Sequence, residues 1–311
     1  MHFARSMAAR TRFAHLLCVS TPVVCASCAA PLLADDAPLP DRLSELPFES
    51  ARRTVPYAPT WPLWSNGLEK RRWLYTPGRD PIDTEDRVWD WPVGSLLFKE
   101  FAWDGGLVET RVMRREADDW DYATYVWDGD DAWRLPAAER VELDAPAHTI
   151  PSRYECRLCH EPAGGPIGLR PRQLSQADLD VFGDRFSPAV EPVPITGHDA
   201  TTTDVLGYFI GNCVHCHDGR RSKQTAFDLR PDAALDNLIG VETRSPLLPG
   251  GVRVQPGSAE ESQLFLALLQ SESGDVSAMP PAGVDRVDEA AVDLFREWID
   301  GLDPLEPEGT P

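Results

Sequence analysis

Four of the seven cysteines in this 311-residue chain fall into two copies of one pattern, Cys156-x-x-Cys159-His160 and Cys213-x-x-Cys216-His217. Covalent haem attachment requires two thiols a short, fixed distance apart, one for each vinyl group. It also requires an imidazole placed to reach the iron, and Cys-x-x-Cys-His supplies all three. Cys156 and Cys159 would therefore carry a first haem c with His160 as its iron ligand. Cys213 and Cys216 would carry a second haem c with His217. Two other chemistries use the same residue types: structural zinc held by cysteines or a Cys/His mixture, and a pair of disulfides.

A haem iron in an electron carrier normally takes a sixth ligand. Beyond the first 34 residues the chain has two methionines, Met113 and Met279. Met279 precedes Pro280-Pro281, and a proline-bearing loop can present a thioether to the second iron with restricted backbone freedom. The alternative role for Met279 is core filling. For the first iron the candidates are Met113, His148, His198 and His215, and a five-coordinate iron is a further possibility. Arg220, Arg221 and Arg253 are candidates to pair with haem propionates, or simply to face solvent.

The remaining cysteines, Cys18, Cys25 and Cys28, lie in an N-terminal stretch that reads as an export signal over residues 1–34. Arg5, Arg10 and Arg12 form a positive start, an apolar run follows, and small residues offer cleavage positions. Lipidation at Cys28 is the alternative to plain cleavage, and membrane attachment is expected only in that case. A periplasmic or otherwise exported location follows, where two disulfides would also be stable.

Fifty acidic residues against 30 basic ones give a formal charge of −20. Such a surface repels nucleic acid. It can steer a basic redox protein partner in a salt-dependent way, or merely keep the chain soluble. Twenty-nine prolines and 22 glycines point to many turns rather than a helical bundle.

An α+β organisation is expected around these motifs. Residues 35–58 read as an acidic, proline-rich linker. Nine of the ten tryptophans fall between 61 and 133. There, alternating segments at 72–76, 95–103, 107–114 and 121–127 are separated by turn residues, with Asp104-Gly105-Gly106 the best hairpin signal. This predicts an antiparallel β-domain over 59–135 with an aromatic core. Residues 136–198 read as loop-rich and hold the first motif, with a short helix from Ser175 to Phe182. From 199 to 304 the pattern is helical: a helix capped by Asp204 leading into Cys213, another capped by Ser258, and a C-terminal one through Leu294, Phe295, Trp298 and Ile299. Residues 305–311 are a tail.

The segment from Asp199 resembles a class I cytochrome c domain. Phe209 lies four residues before Cys213, the Met279-Pro-Pro loop follows, and the last helix carries Phe295 and Trp298. The resemblance implies crossed first and last helices, with Phe209 near Phe295 or Trp298. The whole chain after the signal also resembles a family of secreted dihaem cytochromes. That likeness rests on Pro59–Gly67, Glu69–Trp73, Trp91–Gly94, Glu109–Arg111, Ile150–Arg153, Leu174-Ser175 and both haem motifs. It implies electron transfer from a dehydrogenase-type donor, such as a quinoprotein, to a respiratory acceptor. Two other function classes remain: a dihaem peroxidase with one open iron, and a module whose tryptophan-rich domain recruits a partner.

Overall fold

The computed structural model describes residues 38–49, 54–136, 141–143, 148–220, 227–243, 250–269 and 276–304. The export signal, Cys18, Cys25, Cys28, Arg221 and the 305–311 tail lie outside the described residues. Among those described, no helix is long and apolar enough to cross a membrane.

An N-terminal antiparallel β-sheet domain precedes a C-terminal helical region. The sheet has six strands in the order β1-β2-β4-β5-β6-β7: β1 Thr54–Pro56, β2 Glu69–Tyr75, β4 Leu96–Trp103, β5 Gly106–Arg115, β6 Trp120–Asp128 and β7 Asp131–Arg134. The expected hairpin forms between β4 and β5. Asp104 and Gly105 take φ of 48° and 76°, the paired left-handed geometry that a two-residue turn needs to match strand twist. Two short pairs stand outside the sheet: β3 Ile82–Asp83 with β10 Phe186–Ser187, and β8 Val141–Leu143 with β9 His148–Ile150.

Both faces of the sheet are covered. One carries Leu96, Phe98, Val112 and Tyr125, packed beneath Leu39, Leu43 and Leu46. The proline-rich stretch expected as a linker is thus docked at these leucines, because each finds an apolar place on the sheet. The other face carries Leu74, Leu97, Met113 and Tyr122, packed against Leu169, Leu174, Leu179 and Phe182. Trp89, Trp91 and Trp120 are buried there, as an aromatic core requires, whereas Trp103 and Trp133 are exposed.

The helices are α1 Arg153–Ala163, α2 Gln176–Phe182, α3 Ala200–Asn212, α4 Ala234–Leu238, α5 Gln263–Leu268 and α6 Glu289–Asp300. Ser175 caps α2 as expected, accepting from the Asp178 amide. The cap of α3 is Asp199 rather than Asp204, since its carboxylate accepts from the Thr202 amide and starts the helix five residues earlier. Likewise α5 begins at Gln263, after Ser262. The Ser258 region is a turn, with Ser262 Oγ donating to the Ser258 carbonyl at 2.8 Å. In the helical core Phe209 of α3 meets Phe295 of α6 at a centroid separation of 5.4 Å, and Phe295 meets Trp298 at 6.2 Å.

Trp61 ties the β-domain to the helices. A Cβ on Gly207 of α3 would sit 2.2 Å from its ring, so only glycine admits the indole there.

Candidate functional site

The first motif lies on a helix where a loop-rich segment was expected. Ser152 accepts from the Glu155 amide while Glu155 reaches back to the Ser152 amide, a capping box that starts α1; Gly164 ends it in the left-handed conformation. Residues three and four apart on a helix share a face, so Cys156, Cys159 and His160 point the same way. That face meets the sheet. Cys156 packs against the core containing Met113, and the His160 ring lies 5.8 Å from that of Tyr122.

His160 is held for one role. Its Nδ1 stands 3.1 Å from the Gly165 carbonyl, and a carbonyl can only accept, so Nδ1 carries the proton. The Nε2 lone pair is then free for a metal, the second-sphere arrangement that fixes a ligating histidine. Burial pushes the His160 pKa down to about 4, which keeps the imidazole neutral. Gly165 has φ of 117°, and a Cβ there would lie 2.8 Å from the Trp120 indole nitrogen. The acceptor for His160 therefore depends on a glycine.

The second motif follows α3 directly. Cys213 caps its C-terminus, and the Cys216 and His217 amides both donate to the Cys213 carbonyl, at 3.0 and 2.9 Å. Cys213 packs against the helical core, and burial pushes its thiol up to about 12. His217 is buried and stacks on Phe227 at 4.3 Å. Arg253 lies over the same phenyl ring at 4.6 Å and donates to the Asn237 carbonyl. Arg220 is exposed.

Met279 is half-buried between α5 and α6, its amide donating to the Ala267 carbonyl at 3.0 Å. The chain just beyond it is clamped to the β-domain. Asn66 Oδ1 accepts from the Asp285 and Arg286 amides at 2.8 and 3.2 Å, and the Asp285 carboxylate accepts from the Thr149 amide and hydroxyl at 2.7 and 2.9 Å.

The two motifs meet. Ligand atoms of Cys159, His215 and Cys216 lie within 4.8 Å of one another, although they belong to α1 and to the turn after α3. His215 is thereby the expected candidate that lies beside the first motif. His148 is buried with both ring nitrogens engaged, Nε2 with Glu109 at 2.9 Å and Nδ1 with Asn66 at 3.0 Å. Met113 is buried on β5 in the core that Cys156 touches, and His198 is exposed.

The donor set fits covalent haem. Among the described residues, none of the four motif cysteines is joined in a disulfide. Cys213 and Cys156 have apolar surroundings, and His160 presents an unprotonated Nε2. The same cluster of Cys159, His215 and Cys216 also suits a single metal ion.

Basic residues on the sheet face beneath α1 were missed from the sequence. Arg72, Lys99 and Arg111 are register partners on β2, β4 and β5. No protein-family model, curated protein or solved structure matches the chain.

Proposed function

We propose that the chain is an exported dihaem c-type cytochrome that passes electrons between two covalently bound haems and on to a protein partner. The observation that carries this is the meeting of the motifs, with the Cys159 and Cys216 sulfurs within 4.8 Å. Each thiol would add its S–H across a vinyl double bond, forming one C–S and one C–H bond with no atom lost. Bound haem supplies the one-electron Fe(III)/Fe(II) couple. The chain's residues hold His160 in the ligating tautomer through Gly165 and bury His217 against Phe227, and Cys159 and Cys216 would attach the two groups close to one another. Export rests on the N-terminal sequence. A basic redox partner is favoured by the charge of −20; a quinoprotein dehydrogenase as the donor rests on the resemblance to secreted dihaem cytochromes alone.

A pyridine haemochrome assay of the exported protein tests the proposal, with two c-type haems per chain expected. The Cys159–His215–Cys216 cluster also favours a second reading, one tightly held metal ion. Metal analysis finding stoichiometric zinc and no haem would establish that reading instead.

A further inference from the structure

We infer that the row Arg72–Lys99–Arg111 is a carboxylate-binding site that holds the propionates of the haem attached at Cys156 and Cys159. The inference rests on the dihaem proposal and adds the residues that recognise the acidic edge of one haem. In the sheet register Arg72 pairs with Lys99 and Lys99 with Arg111, so the three side chains stand next to each other on one face. Like charges directly opposite across strands destabilise a sheet, so a row of three, with Arg72 buried and Lys99 and Arg111 half-buried, calls for negative charge.

The protein supplies little of it. Arg111 donates to Glu109 Oε1 through Nε and Nη2, at 3.0 and 2.6 Å, and His148 engages the same oxygen. Arg72 is only 9% exposed. Among the described residues, no ion pair or side-chain hydrogen bond involves it. Lys99 Nζ lies 4.7 Å from the centre of the Phe101 ring, and among the described residues no carboxylate pairs with it. Lys70, on the same face, donates to the Leu63 carbonyl at 2.7 Å. Among the described residues, Glu109 is thus the one carboxylate acting on Lys99 and Arg111, Asp288 acts on Lys70, and Arg72 is balanced only by the Tyr57 hydroxyl. The Lys99 pKa is depressed by burial first, then by Arg72, Arg111 and Lys70.

The row also points the right way. Cys156 packs in the core of Leu97 and Met113, which stand two residues along β4 and β5 from Lys99 and Arg111 on the same face, and its thiol and that of Cys159 lie within the field of Arg111. Arg72 lies two strands beyond Arg111, about 10 Å at the usual strand spacing. The carboxylates of a haem lie on the edge away from its two thioether bonds. Thiols at the Arg111 end and unneutralised cations at the far end match that polarity, and guanidinium–carboxylate pairs are strong in such a site.

Resonance Raman spectra of the full-length holoprotein, with haem counted in the same samples, test this. In Lys99→Gln and in Arg72→Gln the propionate bending bands of one haem should shift, and its reduction potential should fall, while the other haem is unchanged. Lys99→Arg should restore the bands, and Arg71→Gln, on the opposite face of β2, should leave them alone. Loss of one haem in Lys99→Gln that Lys99→Arg rescues would equally support the inference. Unshifted bands in both Gln variants, with two haems present, would overturn it while leaving the dihaem proposal standing. Absence of haem from the unaltered protein would remove both.

Discussion

Cys159 on α1 and Cys216 in the turn after α3 bring their sulfur atoms within 4.8 Å of each other, with a ring nitrogen of His215, from the second motif, within the same distance of both. Two haems attached at these thiols would have neighbouring edges, so an electron entering at either iron has a short path to the other. The contact joins the sheet-packed half of the chain to the helical half. Trp61 on Gly207 and Asn66 on the segment after Met279 hold the same junction.

The motifs should load separately. Replacing Cys156 and Cys159 by Ala should lower the haemochrome count from two to one, and replacing Cys213 and Cys216 should do the same. Mass spectrometry of tryptic peptides would then place the remaining haem on the intact motif.

Asn66 is fully buried and satisfies groups on two other elements, the His148 ring and the Asp285–Arg286 backbone. Each buried group left unpaired costs about 1–3 kcal/mol. Asn66→Ala should lose about 2–4 kcal/mol in denaturant unfolding. It should also weaken the near-infrared charge-transfer band of a methionine-ligated ferric haem, because the clamp lies just beyond Met279.

Gly207→Ala reverses an ordinary rule. Alanine in an exposed helix interior stabilises by about 1 kcal/mol relative to glycine. Here the added Cβ meets the Trp61 ring at 2.2 Å, so overpacking of about 1–3 kcal/mol should win. The loss should shrink in a Trp61→Ala background, and thermal unfolding of the four-member cycle measures the coupling.

Acid should act through Glu109. Burial alone would raise its pKa, but the Arg111 guanidinium and the His148 hydrogen bond outweigh burial and hold it below the usual carboxylate range. A depressed folded pKa means stability that is present above the unfolded value, about 4.3, and is lost as pH falls through the folded one. The unfolding free energy should therefore drop below about pH 4.3, and Glu109→Gln should flatten that part of the profile.

Local rules carried much of the fold. Alternation and the Asp104-Gly105 turn marked β4 and β5 closely, and Ser175 marked α2. Where two caps compete, local rules misplace an end: Asp199 reaches the Thr202 amide, so three threonines that disfavour helix open α3. The caps of α1 are legible in Ser152, Glu155 and Gly164, but Pro162 near its end and the charged residues among its cysteines hide the helical period. The cationic row was hidden for a different reason. Lys70 and Arg72 sit in the charged run Glu69–Arg72 and Lys99 beside Glu100, as on solvent-facing strands, and nothing local reveals that the segments after β7 cover that face. The contact between Cys159 and Cys216 is likewise tertiary, set by how α1 lies on the sheet and α3 on Trp61.

The most direct test is the haem count of the exported, full-length protein by pyridine haemochrome, with absorption spectra in both oxidation states. Two c-type haems per chain, reduced and reoxidised reversibly, are predicted. A chain that carries no haem, with zinc or disulfides at its four motif cysteines, would contradict the account.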